Sequence, residues 1–264
     1  MNNIPDIINE IIVTLTTGVT LLLAFLCLIN IQGVNKFGNR WLGIFMLCIF
    51  FHNTDFMLMR AGIEIGNTMI IVILNVLAYV FAPAFYYTVS YFITPDRPWK
   101  IKDYLHLFSF ALLYFLYSYY LLYEKPSGVK KGYDFLTALL SGNFGILYGM
   151  QIFYYCILSW RKLKKHEQNI QLFSSSIKNI DLKWLKYMMM CVFVMASFFI
   201  IGNLNYFPPY FFIIINLSYF IGFFVITYFS IKQKEIYPFT TGQKNEIINV
   251  TFKESFKNRS LKKE

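Results

Sequence analysis

The stretch INEIIVTLTTGVTLLLAFLCLIN at residues 8–30 decides how the rest of the chain is read. It stays apolar for long enough to cross about 30 Å of hydrocarbon as a helix. The MNNIPDIINE sequence at its start carries Asp6 and Glu10, and no basic residue occurs before Lys36. It therefore lacks the positive start of a cleaved signal sequence and is expected to remain in the mature protein. An acidic start followed by Lys36 and Arg40 also orients it, with the amino terminus outside and the first loop in the cytoplasm.

Six more apolar segments follow, near 41–61, 67–94, 104–123, 134–159, 184–205 and 209–231. None alternates with period two, and an open sheet would leave unpaired edges in lipid, so strands are excluded. The expected fold is all-α: a polytopic bundle of seven transmembrane helices over residues 1–231, with 232–264 a short basic cytoplasmic tail or linker. The breaks are polar and turn-rich: NKFGNR at 35–40, residues 62–67, TPDRPWKIKD at 94–103, EKPSGVKKGYD at 124–134, and 203–209. Composition agrees, since 57% of the 264 residues are hydrophobic and only 14% charged, where a soluble domain has about 25% charged residues. An aromatic content of 20% also rules out a disordered chain.

Carrying the orientation through seven spans assigns 20 of the 24 basic residues to the cytoplasmic side and leaves only Arg60, Lys125, Lys130 and Lys131 outside. The net charge of +10 thus reads chiefly as a record of topology. Its longest basic run, RKLKKH at 161–166, falls just beyond the fifth span, where anionic headgroups attract it. Direct nucleic-acid binding by this chain is not expected, because residues 232–264 are too few and too polar to fold as a helix-turn-helix.

Asp55 is the acidic residue deep within a span, and ionisable groups in a membrane are costly enough to be functional candidates. His52, three residues earlier, shares its helix face. Together with Asn75 and Gln151 they are the candidate ligand- or proton-sensing residues, weighed against simple hydrogen bonding between helices. Pro83, Asn143, Asn203 and Asn216 could line the same cavity, and Pro83 is expected to kink the third helix. Arg60 is expected to pair with Glu64. Cys27, Cys48, Cys156 and Cys191 all lie in apolar stretches without metal or disulfide spacing and read as packing residues.

Catalytic readings fare poorly. The last span has no lysine for a retinal Schiff base, only His52 and His106 could serve a membrane zinc site, and no nucleophile or phosphate-loop motif occurs. No enzyme activity, cofactor or metal is expected. A small-molecule transporter or channel using His52 and Asp55 is the alternative, although an odd span count without internal repeats gives it no support.

Three stretches together resemble a known family. They are FAPAFYYTVSYFITPDRPWKIKDYLHLFSFALLYF at 81–115, FSSSIKNIDLKWLKYMM at 173–189 and FFVITYFSIKQKEIYPF at 223–239. Their order and spacing are similar to the membrane-embedded amino-terminal halves of AraC-type transcription regulators of Bacteroidetes. The resemblance implies a sensor in the inner (cytoplasmic) membrane that passes a signal to a cytoplasmic helix-turn-helix domain. RSLKKE at 259–264 looks like the segment leading into that domain, so this chain is expected to lack the DNA-binding half. Its expected partners are the lipid bilayer, a small-molecule signal and a second copy. Within the matched residues, Asp181 is expected to cap the sixth helix, with Trp184, Lys183 and Lys186 at the cytoplasmic interface.

Overall fold

The computed structural model of the protein describes residues 4–31, 33, 35–60, 77, 80–95, 97–106, 108, 144–173, 183–202 and 209–231. All regular structure in them is helical. Six long helices stand out: α1 (Ile4–Ile29), α2 (Lys36–Arg60), α3 (Phe81–Ile93), α4 (Phe144–Phe173), α5 (Lys183–Gly202) and α6 (Pro209–Ile231). Each packs chiefly against the next in chain order, and α6 returns to α1, so the six close into a ring. The all-α expectation holds. By length and composition, α1, at 26 residues, is the one described helix apolar enough to cross a membrane; the apolar cores of α5 and α6, Trp184–Phe198 and Tyr210–Ile226, are shorter.

Helix starts follow local chemistry. Proline falls in the first turn of α1 (Pro5), α3 (Pro83) and α6 (Pro209), where no backbone donor is needed. Pro83 falls in the first turn of the described helix, and the span before Leu77 that would show the expected kink lies outside the described residues. Asn30 ends α1 with φ of 55°, the left-handed conformation that Asn tolerates at a helix end. The second helix starts earlier than expected, at Lys36 instead of 41, because Asn35 caps it: its Oδ1 accepts the Gly38 N–H at 3.0 Å. The same side chain donates from Nδ2 to the Tyr91 carbonyl at 2.7 Å, which ties the start of α2 to the end of α3. NKFGNR is thus mostly first turn rather than loop. At the other extreme, α4 continues to Phe173, well past 159, with Leu163 buried and Glu167 bridged to Lys186 of α5 at 2.7 Å.

Burial on α1 departs from a soluble amphipathic helix, because large aliphatic side chains face out while the inner face mixes polar and apolar residues. Its inward face carries Asn9, Val13, Thr16, Thr20, Leu23 and Cys27, at alternating spacings of four and three, while Ile8, Ile11, Leu15, Leu22, Phe25 and Ile29 face out. The hydroxyls on that inner face return to their own helix: Thr16 donates to Ile12 O at 2.7 Å and Thr17 to Val13 O at 2.7 Å, a pattern that satisfies hydroxyls without water. On α6 the outward stripe is Tyr210, Ile214, Leu217, Ile221, Phe224 and Tyr228.

Two ties close the ring. Gly43 lets α2 approach α1 so closely that a Cβ there would meet the Ala24 carbonyl oxygen at 3.1 Å. Asn216 of α6 donates from Nδ2 to Asn9 Oδ1 of α1 at 2.7 Å, both near their helix starts, so α1 and α6 run parallel. Asn216 therefore joins α6 to α1. All four cysteines are free, with Cys27, Cys48 and Cys156 buried in the core.

Candidate functional site

A cavity of about 70 Å³ lies inside the ring, large enough for several waters or a small ligand group. Every long helix except α1 contributes to its wall. Alpha-2 supplies Cys48, Ile49, His52 and Asn53; Phe81 and Ile152 come from α3 and α4, Met195 and Ala196 from α5, and Tyr219 and Phe223 from α6. The wall is mostly apolar, with the polar groups of His52 and Asn53 gathered on α2. His52 is itself exposed. Tyr219 is held rigid, donating its hydroxyl to the Met195 carbonyl at 3.1 Å.

The four sequence candidates fare differently. His52 lines the cavity. Asp55 lies three residues on in α2, which preserves the expected helical spacing, but its side chain lies outside the described residues. Asn75 lies outside them altogether. Gln151 is half-buried in α4, one position before Ile152, and does not line the cavity. The expectations for Asn143, Asn203, Glu64 and Asp181 also fall outside the described residues. Trp184 is half-buried, with its ring set edge-on to Phe92 at 4.9 Å.

A second polar centre, which charge counting alone did not single out, forms where α3 ends. The buried carboxylate of Asp103 pairs with Arg97 and accepts the Lys100 N–H at 2.8 Å. Its backbone carbonyl accepts the Tyr87 hydroxyl at 2.9 Å. Around it the rings of Trp41 and Trp99 stack at 5.7 Å and 4°, Tyr87 stands 5.0 Å from Trp99, and His106 Nδ1 meets the Tyr155 hydroxyl at 2.8 Å. Lys162 of α4 places its Nζ 5.3 Å from the Tyr86 ring centre, and burial pulls its ammonium down to about 8. Farther along α4, burial also draws His166 below its ordinary value, opposed by the neighbouring Glu167 carboxylate.

Its trace in the sequence is slight: an Arg and an Asp six residues apart across Pro98 and Trp99, ten residues after a Tyr-Tyr pair. Neither centre offers a set of three His, Cys, Asp or Glu side chains fit for a metal among the described residues. No protein-family model, no curated protein and no solved structure matches the chain.

Proposed function

We propose that the chain is a non-enzymatic, multi-pass sensor of the inner membrane, in which occupancy of the cavity at His52 and Asn53 shifts the packing of the helix ring. The observation that carries this reading is the distribution on α1, where Asn9 and three Thr are buried beside Val13, Leu23, Ala24 and Cys27 while a row of large aliphatic side chains faces out. In water such an exposed apolar surface would be a standing association hazard, whereas in lipid it is the favourable arrangement. Supporting it, α1 and α6 run parallel, as the first and seventh of seven spans would. Lys36, Arg97, Lys162 and Lys186 belong to one end of the ring, linked through the Asn35, Tyr86 and Trp184 contacts, in keeping with a cytoplasmic face. The resemblance to AraC-type regulators supplies the expected direction of output, through residues 232–264.

A ligand acts by binding one packing arrangement better than another. The test is a reporter fused after Glu264. Ala196→Leu adds three carbons to the cavity wall and should lock the output at one level. Leu217→Phe, on the outward stripe of α6, should leave it responsive. An output indifferent to Ala196→Leu, in protein that reaches the membrane normally, overturns the sensor reading. Solute flux in proteoliposomes that disappears on Asp55→Asn would overturn it in favour of transport.

A further inference from the structure

Arg97 and Lys162 come from different parts of the chain, yet both turn their charge inward onto neighbouring rings. The Arg97 guanidinium sits 5.6 Å from the centre of Tyr87 and the Lys162 ammonium 5.3 Å from that of Tyr86, and these two rings are 5.5 Å apart. Each cation gains from the ring face it covers. Among the described residues only Asp103 pairs with either cation, and its two carboxylate oxygens are already engaged by Arg97 Nη2 and the Lys100 N–H. Arg97 Nη1 is buried and has no hydrogen-bond partner among the described residues. A buried donor on a charged group left unmade is costly, and among the described residues two cations face one carboxylate, an excess of positive charge.

The geometry points to a binding site for a phosphate-bearing group, held between Arg97 Nη1 on the Tyr87 side and Lys162 Nζ on the Tyr86 side. Phosphate suits the arrangement because it accepts from the planar guanidinium edge and from the point charge of an ammonium together. A bound anion would also offset the desolvation that depresses the Lys162 ammonium. The site uses neither the cavity nor His52, so it stands independently of the sensor reading. Two sources share its chemistry: an anionic lipid headgroup and a soluble phosphate compound.

Trp41 and Trp99 form a wall of this centre, so their fluorescence reports on it. Protein in uncharged detergent is titrated with inorganic phosphate, with dihexanoyl phosphatidic acid, and with the matching diacylglycerol. A saturable change with phosphate assigns the soluble source, a saturable change with phosphatidic acid alone assigns the headgroup, and diacylglycerol should give none. Arg97→Lys keeps a charge for Asp103 but removes Nη1, and Lys162→Gln removes the ammonium. Each should weaken binding by about tenfold or more. Absence of saturable binding by both phosphate compounds overturns the site. So does an unchanged affinity in either variant that retains the melting temperature of the unsubstituted protein.

Discussion

Adding a single carbon at Gly43 tests whether α1 and α2 cross as closely as described. A Cβ there would stand 2.7 Å from Leu28 Cγ, 3.0 Å from Leu28 Cδ2 and 3.1 Å from the Ala24 carbonyl oxygen. Leu28 is partly exposed and can turn away. The Ala24 oxygen belongs to the α1 backbone, so relief there requires the two helices to part by a few tenths of an ångström. Overpacking of this kind costs about 1–3 kcal/mol, set against a gain of about 1 kcal/mol from the better helix propensity of alanine.

Gly18 on the outer side of α1 isolates the second effect, since a Cβ there meets nothing within 4 Å. The two single substitutions should therefore differ by about 1–3 kcal/mol, with Gly43→Ala the less stable. Equilibrium unfolding in mixed micelles of sodium dodecyl sulfate and a nonionic detergent, followed by circular dichroism, measures the difference. Stabilities equal within about 0.3–0.5 kcal/mol, or Gly43→Ala the more stable, would refute the close crossing.

Closure of the ring through Asn9 and Asn216 predicts a coupling of about 0.6 kcal/mol, and up to about 1.7, in a double-mutant cycle with Asn9→Ala and Asn216→Ala; strictly additive single effects would show that the bond contributes nothing. Lys162 predicts a pH dependence. Its folded-state value of about 8 lies below its ordinary 10.5, so between those limits the unfolded chain holds more protons and stability should rise with pH. In phosphate-free buffer, Lys162→Gln should flatten that rise, and a variant profile parallel to the original would contradict the buried setting of the ammonium.

The helical class was legible because long apolar runs separated by turn-rich breaks leave few other solutions, and the ends of those runs were legible only where the chemistry was simple. NKFGNR contains the residues of a turn, yet Asn35 uses its side chain as a cap and so draws the next five residues into α2. Farther along the chain, the charges of RKLKKH signalled an interface, but basic residues are good helix formers, and α4 runs through them with Leu163 buried and Glu167 tied to α5. His52 was identifiable as an ionisable group in an apolar run. Its companions on the cavity wall, Phe81, Ala196 and Tyr219, are ordinary apolar or aromatic residues in other segments, so only tertiary packing assembles them. Asp103 was hidden for a similar reason: read along the chain it is one charge in a basic loop, and its burial arises from Arg97 and Tyr87 folding over it.

The self-contained hydroxyls of α1 bear on the order in which the protein is made. A nascent helix that needed partners for its polar groups would be penalised for every second it waited in the bilayer. Thr14, Thr16, Thr17 and Thr20 donate to carbonyls of their own helix, so under the proposed membrane reading α1 would enter first and persist alone at little cost. Asn9 is the exception, because the amide that meets it arrives 207 residues later. Among the described residues Asn9 thus waits for α6, the sixth of the long helices, and that late handshake distinguishes a closed ring from an open row of helices.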